Sequence, residues 1–150
     1  MRLPLTGGCQ CGRVRYEIRA KPLSVYACHC TECQRQSGSA FALSLPVPRD
    51  AVAVVSGTPA TWRRVLEGGR VIACFFCADC GTRLFHNPER NPQASIVKPG
   101  TLDDTTWLAP VGHIWTRSAQ PWVPQDTVNY EAQPPDLTRL IEAWQAQEAK

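Results

Sequence analysis

The chain has 150 residues, of which 43% are hydrophobic and 19% are charged, and its formal net charge is +3. This length fits one domain, 1–150, and the hydrophobic content supports a folded core rather than intrinsic disorder. No apolar run approaches the roughly 20 residues of a membrane-spanning helix, and the N-terminus lacks the apolar stretch of a signal peptide. We therefore expect a cytoplasmic protein with no membrane partner.

Short alternating segments, separated by glycine and proline, predict a mainly β fold. The 13 prolines are well above the usual proportion of roughly 5% and favour loops and short strands over long helices. Strands are predicted over 13–18, 39–47, 51–55, 60–66, 70–76, 83–86 and 94–98, with a weaker candidate over 113–117. The sequence Glu67-Gly68-Gly69 is typical of the turn of a β-hairpin.

One helix is predicted, at the C-terminus, over about 136–149. Two prolines followed by Asp136 form a helix start signal, with Asp136 as the N-cap. Four apolar side chains then recur at helical spacing, namely Leu137, Leu140, Ile141 and Trp144. We expect this apolar face to pack onto the sheet rather than to bind a partner.

The eight cysteines indicate metal binding, because disulfides are rare in a reducing cytoplasm. Cys77 and Cys80 form a CxxC pair followed by glycine, the pattern of a zinc knuckle, which supplies only two of four tetrahedral ligands. Cys9 and Cys11, also followed by glycine, supply the natural second pair. These four residues predict a structural zinc that ties together two distant parts of the chain.

Cys28, Cys30 and Cys33 form a second cluster that can reach one metal and leave one tetrahedral position open. Three protein ligands and an exchangeable fourth are typical of catalytic zinc. The alternative is a second structural zinc, completed by His29 or by another cysteine. Two zinc sites of four and three thiolates would also cancel the net charge, so the apparent basicity is poor evidence for a nucleic-acid partner.

The cysteine motifs and their surroundings resemble the glutathione-dependent formaldehyde-activating enzyme (GFA) family. The resemblance covers about 5–123 and is specific, because it includes three cysteine motifs in order. The matching segments are 7–12 (GGCQCG), 14–17 (VRYE), 28–41 (CHCTECQRQSGSAF), 76–85 (FCADCGTRLF), 100–104 (GTLDD), His113-Ile114 and Pro121-Trp122.

The resemblance implies a β-rich, Mss4-like zinc fold and two zinc ions per chain. By matching positions, Cys9, Cys11, Cys77 and Cys80 would hold the structural zinc, and Cys28, Cys30 and Cys33 the catalytic zinc. It also implies a carbon–sulfur lyase that joins glutathione to formaldehyde, giving S-hydroxymethylglutathione. The expected partners are therefore a small thiol, glutathione or similar, and an aldehyde.

A thiol that entered the open zinc position would be deprotonated and remain nucleophilic, so the protein would need no nucleophile of its own. Arg35 is the first candidate to bind a glutathione carboxylate, and Lys98 and Arg117 are weaker ones. His113 is either an acid or base near the site or a packed structural histidine, and the second interpretation is favoured.

Two other functions stay open. One is a zinc-stabilised structural or interaction module without catalysis, although no basic run with interleaved aromatic residues favours nucleic acid. The other is methionine sulfoxide reduction, whose enzymes use two CxxC pairs where this chain has CxC, CxCxxC and CxxC. Cys74 stands where the family usually has a basic residue. We expect Cys74 to be a buried free thiol rather than a fourth ligand of the second cluster.

Overall fold

The computed structural model describes residues 1–149, which contain eleven strands and two α-helices. The mainly β prediction, with one C-terminal helix, is therefore confirmed. The strands are Leu5–Gly8 (β1), Arg15–Ile18 (β2), Tyr26–Cys28 (β3), Ala42–Pro48 (β4), Val52–Ser56 (β5), Ala60–Val65 (β6), Val71–Phe76 (β7), Arg83–Pro88 (β8), Ala94–Val97 (β9), Gly112–Ile114 (β10) and Val128–Tyr130 (β11). The helices are Thr31–Ser37 (α1) and Thr138–Glu148 (α2).

The chain forms two compact units, and each combines two separate stretches of sequence. The first unit contains Met1–Pro22 and Pro46–Trp107, and the second contains Leu23–Leu45 and the segment from Leu108 onwards. The single domain over 1–150 stays a prediction. Within the described residues, no helix is both long enough and apolar enough to cross a membrane.

The first unit contains a three-stranded antiparallel sheet, β1-β2-β5, and the antiparallel strands β6 to β9. Aromatic side chains pack these two groups of strands together. The ring of Tyr16 on β2 lies edge-on to Phe85 on β8 at 6.4 Å, and Phe85 stacks on Phe75 of β7 at 4.7 Å. One face of β7 and β8 therefore contributes to the core of this unit. Side chains of the other face point away from these aromatic contacts.

The second unit is built on strands in the order β11-β10-β3-β4. β10 runs parallel to both β3 and β11, and β4 is antiparallel to β3. Helix α2 places Leu140 and Trp144 in the interior, with 0% and 3% of each exposed. A Cβ atom at Gly112 would overlap Leu140 Cδ2 and lie 2.6 Å from the carbonyl oxygen of Val128, so the close packing of α2 and β11 against β10 requires glycine here.

The C-terminal helix starts two residues later than predicted, and its N-cap is Leu137, which makes no side-chain capping hydrogen bond, rather than the predicted Asp136. A carboxylate oxygen of Asp136 accepts a hydrogen bond from the backbone N–H of Thr138 at 2.8 Å. The predicted strand over 113–117 ends at Ile114, because Trp115 adopts φ 61°, a left-handed conformation that cannot continue a strand. Helix α1 and the short strands β1, β3 and β11 were not predicted.

Candidate metal centres

Two tight turns bring together the sulfur atoms of the first cysteine cluster, Cys9, Cys11, Cys77 and Cys80. In the first turn the N–H of Gly12 donates to the carbonyl of Cys9 at 3.0 Å, and in the second the N–H of Gly81 donates to Cys77 at 2.9 Å. Both glycines have φ near +75°, which explains why each pair is followed by glycine. The chain therefore folds into two similar knuckles.

The sulfur geometry of this cluster fits a tetrahedral metal. All four Sγ atoms lie within 4.8 Å of one another. Cys9 Sγ is 3.5 Å from Cys11 Sγ, which is 3.7 Å from Cys77 Sγ. Zinc–sulfur bonds of about 2.3 Å place tetrahedral sulfurs about 3.8 Å apart. The cluster could therefore hold a metal ion, and the separations are far too long for disulfide bonds.

Local hydrogen bonds and the crowding of four thiols act in opposite directions on the cysteine pKa values. The hydroxyl and the backbone N–H of Thr82, with the N–H of Cys11, lower the pKa of Cys80 to about 6. For Cys11 the N–H of Arg13 lowers the pKa, but the neighbouring sulfurs and burial outweigh it and raise the pKa to about 12. A divalent cation would remove this mutual repulsion of thiolates.

The second cluster, Cys28, Cys30 and Cys33, forms where β3 passes into α1. Cys28 ends β3, Cys30 is the N-cap of α1, and Cys33 lies on the buried side of the helix. The Sγ of Cys30 accepts a hydrogen bond from the N–H of Cys33 at 3.4 Å. The C-cap is Gly38, in a left-handed conformation with φ 60°. Helix α1 is therefore capped at both ends, by Cys30 and by Gly38.

These three sulfur atoms also lie within 4.8 Å of one another, so the cluster could hold a metal ion. Cys28 and Cys33 are buried and Cys30 is partly exposed. The neighbouring sulfurs of Cys30 and Cys33, together with burial, raise the pKa of Cys28 far above its usual value. A bound cation would offset the repulsion among three thiolates at this spacing. The side chain of Gln36 donates to Cys33 Sγ at 3.4 Å.

His29 is packed against rings rather than joined to the second cluster. Its Nε2 atom is 2.8 Å from Nδ1 of His113, and its ring lies 5.3 Å from that of Phe41. Burial lowers the pKa of His113, and burial with repulsion from His113 lowers that of His29. Both rings are therefore neutral at neutral pH. His113 has the packed role that the sequence favoured.

A groove of about 590 Å³ runs along α1, and none of the three cysteines of the second cluster is among its lining residues. Its lining begins at Thr31, the residue after Cys30, and includes Arg35, which is paired with Glu32 at 2.9 Å. The remaining lining residues are Gln34, Gly38, Ser39, Ala40, Gln120 and Trp122. Arg35, the first candidate to bind a carboxylate, therefore lines a groove along the helix that follows the second cluster.

The other residues that the sequence singled out lie outside both cysteine clusters and outside the groove. The guanidinium of Arg117 stacks over the ring of Trp115 at 4.7 Å, and Lys98 follows β9 in the first unit. Neither cysteine cluster includes Cys74, which is fully buried, with its Sγ 3.8 Å from the carbonyl oxygen of Ile72. His86 on β8, a buried histidine directly opposite Cys74, was not among the residues predicted from the sequence. Only the register of β7 and β8 places His86 opposite Cys74, and the sequence alone does not determine that register.

Comparisons with known proteins agree with the cysteine motifs. The family model described as glutathione-dependent formaldehyde-activating enzyme matches residues 4–118. A Penicillium rubens protein that bears the same family name is 34% identical over 105 residues, covering 68% of this chain and 54% of the relative. A second relative with that name, from Colletotrichum graminicola, is 24% identical over 163 residues, covering 91% of this chain and 84% of the relative. The chain spans about half the length of the Penicillium relative.

A solved structure of a Rhodobacter sphaeroides protein has the same fold. The two chains share 18% identity with a TM-score of 0.54, and the match covers 84% of this chain and 99% of the other. At this identity the likeness concerns the fold alone.

Proposed function

We propose that this chain, which belongs to the glutathione-dependent formaldehyde-activating enzyme family, is a zinc-dependent carbon–sulfur lyase. Its substrate would be a small thiol adduct of the S-hydroxymethylglutathione type. In the synthetic direction a carbon–sulfur bond forms between the thiol and formaldehyde, and the thiol proton ends on the aldehyde oxygen. The reverse reaction breaks that bond and returns the proton to sulfur.

The observation that carries this proposal is the composition of the second cluster. Within the described residues it offers three thiol ligands, Cys28, Cys30 and Cys33, where the first cluster offers four. A zinc held by these three residues would supply a Lewis acid that keeps a fourth, incoming thiol ionised at neutral pH. The partial exposure of Cys30 supports access by a small thiol.

The residues around this cluster could bind the rest of a peptide thiol and hold the cysteine segment in place. The groove beside α1 offers room for the remainder of glutathione, and Arg35 adds a positive charge for one of its carboxylates. The side-chain N–H of Gln36 would stabilise negative charge on Cys33 Sγ. The side chain of Gln34 donates to the carbonyls of His29 and Ser118 at 2.7 and 2.8 Å and so holds the start of α1.

The direct test is metal substitution followed by addition of thiol. Cobalt bound to thiolates absorbs visible light, and this absorption should change on adding millimolar glutathione. S-methylglutathione, which has no free thiol, is the matched control and should leave the cobalt spectrum unchanged. A spectrum that is insensitive to both compounds would contradict the proposal and favour a closed structural site, the interaction-module alternative.

A further inference from the structure

The face of β6 to β9 that points away from the Tyr16–Phe85 contact carries basic side chains around a buried histidine. Strand register places Trp62, Cys74 and His86 directly opposite one another, so their side chains share this face. Arg64 lies on the same face, two residues after Trp62 on β6. We call this side of the sheet the basic face, and it lies within the first unit.

His86 is the buried centre of the basic face. It is only 6% exposed, and its Nε2 atom has no hydrogen-bond partner. A buried polar nitrogen without a partner is unfavourable, because it has lost its hydrogen bonds to water and gained none in the protein. Such an atom in a folded protein is a candidate for contact with a group that binds later.

Arg83 provides a second unsatisfied group on the same face. Its guanidinium carbon lies 5.3 Å from the ring centre of Trp62 and 5.5 Å from that of Phe76, so the two rings fix its position. Its Nη1 atom is buried and has no hydrogen-bond partner. A guanidinium held in this way is well placed to donate to an oxyanion.

The charges that act on His86 are all positive. Burial, followed by the charges of Lys98, Arg83 and Arg64, lowers the pKa of His86 to about 2. The imidazole is therefore neutral at neutral pH and acts as a polar donor or acceptor among three cations. An anion would reduce the repulsion among these cations.

We propose that Arg83 and His86 form a binding site for a small oxyanion. A single carboxylate, sulfate or phosphate would accept from the Nη1 of Arg83 and from Nε2–H of His86, and would offset the surrounding positive charge. One ligand thus accounts for both unpartnered nitrogens, Nη1 of Arg83 and Nε2 of His86. The site is argued independently of the proposed lyase chemistry.

Two sources could supply this oxyanion, namely a free inorganic anion and a carboxylate of a small peptide such as glutathione. Titrations of the full-length, metal-loaded protein with inorganic sulfate and with S-methylglutathione distinguish them. The ¹⁵N shift of the His86 imidazole at constant pH is the readout. S-methylglutathione lacks a free thiol, so its binding does not depend on the zinc-thiol interaction.

For the unmodified protein we expect a saturable shift of His86 with at least one of the two probes. Saturation by sulfate alone identifies an inorganic anion, and tighter binding of S-methylglutathione identifies a carboxylate. Arg83→Gln should weaken the binding about tenfold or more, because a charge-assisted hydrogen bond is lost. Arg63→Gln is the matched control. Arg63 lies on the opposite face of β6, paired with Glu89 at 2.6 Å, and its replacement should leave the affinity unchanged.

Melting temperature and metal content establish that each variant is folded. If Arg83→Gln does not fold, Arg64→Gln serves instead, with a severalfold loss of affinity expected because its charge acts on the same site. The proposal is overturned if neither probe shifts His86 saturably. It is equally overturned if Arg63→Gln weakens binding as much as the variants of the basic face.

Discussion

Nε2 of His29 lies 2.8 Å from Nδ1 of His113, and the two rings stack with their centres 5.1 Å apart. The backbone reinforces this link, because the N–H of His29 donates to the carbonyl of Ile114 at 2.9 Å. His29 stands between Cys28 and Cys30, so the same contacts hold the segment that carries two sulfurs of the second cluster. We infer that the histidine pair positions this segment and is not itself a metal ligand.

The first prediction concerns this pair. His29→Phe or His113→Phe should lower the free energy of unfolding by about 1–3 kcal/mol, because each leaves a buried nitrogen of the other ring without its partner. The double substitution should cost less than the sum of the single ones. Chemical denaturation of the four proteins measures this coupling. Strictly additive losses would show that the hydrogen bond contributes nothing.

The two cysteine clusters should respond differently to the loss of a ligand. Cys77→Ser should unfold the protein or destabilise it strongly, because the first metal would tie together segments 66 residues apart in sequence. Cys30→Ser should leave a folded protein that retains one metal ion per chain. Metal analysis and thermal melting provide the measurements. Equal unfolding by both substitutions would show that the second cluster is structural as well.

The groove beside α1 allows a test of how glutathione binds. Arg35→Gln should raise the KM for glutathione severalfold and affect 2-mercaptoethanol, which has no carboxylate, far less. The effect is modest because Arg35 is 78% exposed and already paired with Glu32. Arg13→Gln, which removes an exposed arginine paired with Asp79 in the first unit, is the control. A similar change in KM for both thiols would contradict a carboxylate contact.

Local patterns were sufficient to predict several elements of this fold. The hairpin of β6 and β7 follows from the two predicted strands, 60–66 and 70–76, that flank the turn sequence Glu67-Gly68-Gly69, and the observed strands match the predicted ones within one residue. The pairing of Cys9 with Cys77 was also predictable, because two knuckles with a glycine after each pair offer four ligands together. These features depend either on residues that are close in sequence or on the four ligands that a tetrahedral zinc site needs.

Other features depend on distant contacts and were not predicted. Helix α1 has only seven residues, and its N-cap is a cysteine rather than the usual serine, threonine, aspartate or asparagine. β3 has three residues and depends on β10 and β4 for its pairing. The basic face requires the register of β6, β7 and β8, since a shift of one residue would place His86 on the other side of the sheet.

The buried state of His86 predicts a pH-dependent stability. Its pKa is about 2 in the folded protein, against an ordinary value of 6.5, because burial and the charges of Lys98, Arg83 and Arg64 disfavour protonation. The unfolded chain therefore binds a proton that the folded protein excludes, and stability is lost as the pH falls through 6.5.

Between pH 7.5 and 5.5 this group should lower the free energy of unfolding by about 1.4 kcal/mol. His86→Gln should remove that part of the pH dependence. Denaturation in buffers free of sulfate, phosphate and carboxylate measures the difference, since a bound anion would raise the pKa of His86. An identical pH dependence in both proteins would show that His86 is not buried as a neutral ring.

The final prediction concerns Cys74, which is fully buried on β7 and belongs to neither cysteine cluster. Its register places it on the basic face, whereas Cys77 lies beyond the end of β7 at Phe76. Cys74→Ala should therefore retain both metal ions and the response to glutathione. It should lower the free energy of unfolding by about 1 kcal/mol, because a small buried side chain is lost.

The experiment combines metal analysis, thiol titration and denaturation of the Cys74→Ala protein. Cys33→Ala is the matched comparison, since it removes another buried cysteine that belongs to the second cluster and should abolish metal binding there. Loss of one metal ion from Cys74→Ala would show that Cys74 is a ligand. In that case the metal site is closed in the native protein, and the fourth position on which the lyase proposal depends does not exist.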